Sequence, residues 1–195
     1  STATISKTIA NLIRLRRPGV KEDFWQSLDN CWPLHPVTAA LLGPTSKRRF
    51  GQNERSAFGF LVSAENRGFK DYLLTNSAEE SSYYLPYMFW EYLKINLEPA
   101  ILASPDGHKW AQAAEAVERA EAKGRKIHVE LAKSVALIEL FKNGSGLLSD
   151  EETLFACLPN YSKDSIQAAL EELKQWSIIA YRKHLAAWGV FAGSD

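Results

Sequence analysis

Long apolar runs, paired cysteines and an excess of either charge are all missing from this chain, and each gap removes a class of protein. No run approaches the roughly 20 apolar residues that a helix needs to cross a bilayer, and the opening STATISKT lacks a secretory pattern. The expectation is no membrane partner and a cytoplasmic setting. Lysine plus arginine number 23 and aspartate plus glutamate 23, so the molecule as a whole lacks the electrostatic footprint of a dedicated nucleic-acid binder. The two cysteines, Cys31 and Cys157, stand far apart without metal-ligand spacing, which fits reduced thiols rather than a disulfide framework.

Phosphate-binding and catalytic signatures are missing too. No GxxxxGK[ST] run supplies backbone amides and a lysine for a nucleotide, and no GxGxxG supplies a dinucleotide turn. HExxH and GxSxG are absent, and His35, His108, His128 and His184 fall in separate segments, so neither a metal nor a catalytic residue is expected. The sequence opens on Ser1 and holds one methionine, Met88, which reads as a piece of something longer. What remains is 46% hydrophobic, ample for a packed core.

The pattern of that hydrophobicity is helical. Ile5, Ile9, Leu12 and Ile13 repeat at helical spacing up to Pro18-Gly19. Short helices are expected over 21–28 and 69–74, with another opened by Pro36 and interrupted at Gly43-Pro44. The Gln52, Ala57, Phe58, Phe60 and Leu61 positions suggest a helix over 52–62. Tyr84, Phe89, Tyr92 and Leu93 belong to an aromatic-rich interior helix, and 110–123 reads as an alanine-rich amphipathic one closed by Gly124. A boundary near Gly124-Arg125 divides a helical domain, 1–124, from a second unit, 125–195.

That second unit has the clearest punctuation. After a helix over 126–142, Ser149-Asp150-Glu151-Glu152 opens another with acids in its first turn, and Ser162 opens a longer one carrying Ile166, Leu170, Leu173 and Trp176 on one face. Ile178, Ile179 and Tyr181, then Trp188, Val190 and Phe191, read as two strands around 183–186. Three helices and a hairpin describe a winged helix, so the expected class is mainly α: a helical domain followed by a winged-helix domain.

Two basic clusters are the candidate functional residues. Lys47, Arg48, Arg49 and Arg55 crowd one bend, and a guanidinium there offers a planar fork to phosphate oxygens. Arg49 and Arg55 are the nucleotide-sensing candidates; Lys47 and Arg48, with Arg182 and Lys183 on the wing, are candidate phosphate or nucleic-acid contacts. The plain alternative is a solvated corner in which Glu54 and Asp71 pair with these bases. On the wing side, the expected recognition helix sets Lys163 and Lys174 against Asp164, Glu171 and Glu172. Such a surface repels a polyanion and favours a protein partner over DNA.

Three blocks, PLHPVTAALLGPTSKRRFGQNERSAFGFL, SPDGHKWAQAAEAVERA and SIIAYRKHLAAWGVFAGSD, carry a family likeness. Together they resemble the region C-terminal to the nucleotide-binding core in large multidomain bacterial P-loop ATPases, AAA+/STAND-like proteins often associated with phage defence. The resemblance implies a helical lid followed by a winged helix, with ATP and Mg held by a preceding core domain and lid arginines, here Arg49 or Arg55, turned to the nucleotide. It further implies a non-catalytic regulatory role whose partners are that core and a protein effector or neighbouring subunit. The chain departs from the family in lacking the P-loop and its acidic partner.

Overall fold

Alternation of apolar and polar residues every three or four positions builds most of the described residues, and a short hairpin closes them. A computed structural model describes residues 2–47, 67–75 and 82–193. Helix α1 (Thr2–Arg16) buries Ile9, Leu12 and Ile13 and stops before Pro18-Gly19 as expected. Helix α2 (Phe24–Asp29) starts later than position 21, because the Phe24 N–H bonds back to the Lys21 carbonyl and makes a turn there.

Helix α3 (Pro36–Lys47) begins on Pro36, whose missing N–H costs nothing in the first turn. It runs through Gly43 and Pro44, where an interruption was expected. Proline's fixed φ is itself helical, and near a helix end the loss is largely one hydrogen bond. Helix α4 (Phe69–Thr75) agrees with expectation. The expected helix over 52–62 lies outside the described residues.

The aromatic stretch folds as α5 (Pro86–Asn96), with Phe89, Tyr92 and Leu93 buried. Tyr84 is buried as well, but it precedes the helix and forms an isolated parallel bridge with Leu34. The sequence pattern had missed a short helix, α6 (Glu98–Leu102), which leads into α7 (Gly107–Lys123). Gly124 caps α7, and Arg125 leads into α8 (Lys126–Leu140).

Ten residues of α8 are buried, on all sides of the helix, so it is the central rod of the core. It packs against α5, α7, the later helix α11 and the hairpin. One apolar cluster extends continuously from Ile9 to Val190. The one-turn helix α9 (Lys142–Ser145) follows and ends on Gly146 at φ 76°, the left-handed region. A Cβ at Gly146 would also press on the Arg17 side chain, which donates to the Asn143 carbonyl. Gly146→Ala is therefore expected to cost about 1–2 kcal/mol in a denaturant unfolding curve. A cost near zero would mean that the turn relaxes freely.

Capping fixes the next two helices where the sequence placed them. The Asp150 side chain accepts from the Thr153 N–H at 2.8 Å to open α10 (Glu151–Cys157), and Ser162 Oγ accepts from the Ser165 N–H at 3.1 Å to open α11 (Lys163–Gln175). Strands β1 (Ile179–Arg182) and β2 (Ala187–Val190) pair antiparallel, with Ile179 opposite Val190 and Arg182 opposite Ala187. The result is a mainly helical fold with a small two-stranded antiparallel sheet among the described residues.

Candidate functional site

Of the predicted site residues, only those on the hairpin are described with their side chains. Lys47 is the last residue of α3, and Arg48, Arg49 and Arg55 lie outside the described residues. Lys183 is exposed in the loop between the strands. Arg182 is half-buried and engaged: Nε donates to Glu139 Oε2 at 3.3 Å and Nη2 to the Val190 carbonyl at 2.8 Å. Glu139 in turn accepts from the Val190 N–H through Oε1. Gly189 permits this arrangement, because a Cβ there would overlap both the Glu139 carboxylate and the Arg182 guanidinium.

The face of α11 agrees with the reading of its charges. Lys163 and Lys174 stand exposed beside Asp164 and Glu171, with Glu172 half-buried. Glu172 turns to a second histidine. His128 Nδ1 accepts from the Arg125 N–H at 2.9 Å, so Nε2 carries the proton toward Glu172 Oε1 at 3.2 Å. The ring also lies 4.7 Å from that of Trp176. The carbonyls of Trp176 and Ser177 at the end of α11 accept from the two guanidinium nitrogens of Arg119 on α7.

His35 is wholly buried and spans two parts of the chain. Its Nδ1 accepts from the Val37 N–H at 3.1 Å, so the proton is on Nε2, which donates to the Ala156 carbonyl at 2.7 Å. The ring thus joins the start of α3 to α10. Burial pushes its pKa down to about 4, against the smaller opposing effect of the Ala156 bond. With both nitrogens engaged, His35 is a neutral structural bridge rather than a base facing a cleft.

Sequence reasoning missed a polar seam between α5 and α8. Tyr87 and Glu91 are four apart on α5, while Lys126, Glu130 and Lys133 share one side of α8. Glu130 is buried, and its Oε2 accepts from the Tyr161 hydroxyl at 2.6 Å; Tyr87 also hydrogen-bonds to it. Glu91 accepts from Lys133 Nζ at 2.9 Å and faces Arg67 Nη1 at 3.4 Å.

Arg67 holds a left-handed φ of 67°, pinned through its backbone: the N–H donates to Asp71 Oδ2 and the carbonyl accepts from the Tyr84 hydroxyl. Burial first, then the Glu130 carboxylate, pushes the Tyr161 hydroxyl up to about 12; Tyr84 and Tyr87 are raised in the same direction. These phenols therefore remain proton donors near neutral pH. Hollows of about 240 and 370 Å³ flank the seam, sharing Arg67 and Glu91. The only sequence signal for this group was a glutamate at core-facing positions of two apolar helices.

Among the described residues, no group of three or more His, Cys, Asp or Glu is placed to hold a metal ion, and no helix is long and apolar enough to cross a membrane. Fold and polar seam together define a mainly helical protein whose elements are cross-linked by buried hydrogen bonds and ion pairs. No family model, curated protein or solved structure matches the chain.

Proposed function

We propose that this chain is a non-catalytic regulatory and interaction module, a helical part over 1–124 followed by a winged-helix part over 125–195. It works beside an ATP-binding core and passes nucleotide state to a protein effector or neighbouring subunit. In this reading Arg49 and Arg55 answer to the phosphates. The observation that carries it is the buried His35 bridge: α3, the helix that runs into the basic cluster, is tied at its start to α10 of the C-terminal unit. A displacement of α3 must either break that bond or move α10, which is what coupling between two sites requires. The Arg16 ion pair with Asp150 at the end of α1, and the Arg17 bond to the Asn143 carbonyl just after it, add links to the same unit.

Nucleic-acid binding through the winged helix is less well supported. Arg182 is engaged by Glu139, and the exposed side of α11 carries as many acids as bases. The test has two arms. In the intact protein with its core, neutralising Arg49 and Arg55 is expected to lower ATP-dependent closure at least about tenfold, since each charge-assisted bond to phosphate contributes about 1.5–3 kcal/mol. Closure unchanged would end the proposal. In the second arm, duplex DNA is titrated at two salt concentrations. Saturable binding with a steep salt slope that falls on changing Arg182 and Lys183 to alanine would transfer the function to nucleic acid.

A further inference from the structure

We draw no further inference here: the strongest candidate, the groove of about 540 Å³ between the end of α1 and the start of α10, lined by Leu12, the exposed Leu15, Pro18 and Glu152, carries nothing because nothing in the structure shows what covers it.

Discussion

Replacing Trp110 by alanine is expected to cost about 3–5 kcal/mol, the range for deleting a large aromatic from a close-packed core. Trp110 is 1% exposed, and its ring stacks on that of Trp90 with centroids 4.3 Å apart and planes 18° from parallel. The indole N–H donates to Glu98 Oε2 at 2.8 Å, and Lys94 Nζ donates to the other oxygen at 2.6 Å. Burial alone would raise the Glu98 carboxyl, but the bonds from Lys94 and Trp110 together hold it below its ordinary range. One residue therefore joins α5, α6 and α7. Trp110→Phe keeps most of the stack but leaves Glu98 one donor short, and should cost about 1–3 kcal/mol. Urea unfolding followed by circular dichroism checks both values, and an alanine variant within about 1 kcal/mol of the parent would contradict this account of the core.

The second large effect is a loss of stability in mild acid. An unfolded histidine titrates near 6.5, whereas burial holds folded His35 at about 4. Between those values the unfolded chain binds a proton that the folded chain refuses. Stability is therefore fully present above about pH 6.5, falls as pH drops, and has lost the whole His35 contribution below about pH 4. The gap corresponds to about 3 kcal/mol.

His35→Gln retains an amide N–H that can donate toward the Ala156 carbonyl, but it has no proton to gain. The difference in unfolding free energy between parent and variant, plotted against pH, should slope between 4 and 6.5 and be flat above. Parallel curves across that window would show that His35 is not the group responsible.

Much of this architecture was legible because its causes are local. The stripe of Ile9, Leu12 and Ile13, the caps at Asp150 and Ser162, and the alternation around 183–186 each act through neighbours a few residues away. Errors arose where a local rule met a distant constraint. Gly43-Pro44 was expected to interrupt a helix that continues to Lys47. Tyr84 was assigned to a helical face and instead bridges to Leu34, its hydroxyl reaching the Arg67 carbonyl.

The candidate site was less legible than the fold. Arg182 was singled out for its charge, but nothing near it in sequence indicated that Glu139 would occupy the guanidinium. His35 was read only as one of four histidines in separate segments, although its decisive partner is the Ala156 carbonyl.

By itself the sequence determined most of the helical segments among the described residues, where many of them begin and end, and that the last strands form a hairpin. Hydrophobic period, capping and turn chemistry operate over three to five residues and need no knowledge of the rest. Only the tertiary structure decided which charges are neutralised and which histidine is kept neutral. Those properties depend on desolvation and on partners brought together by packing, and a linear pattern contains neither.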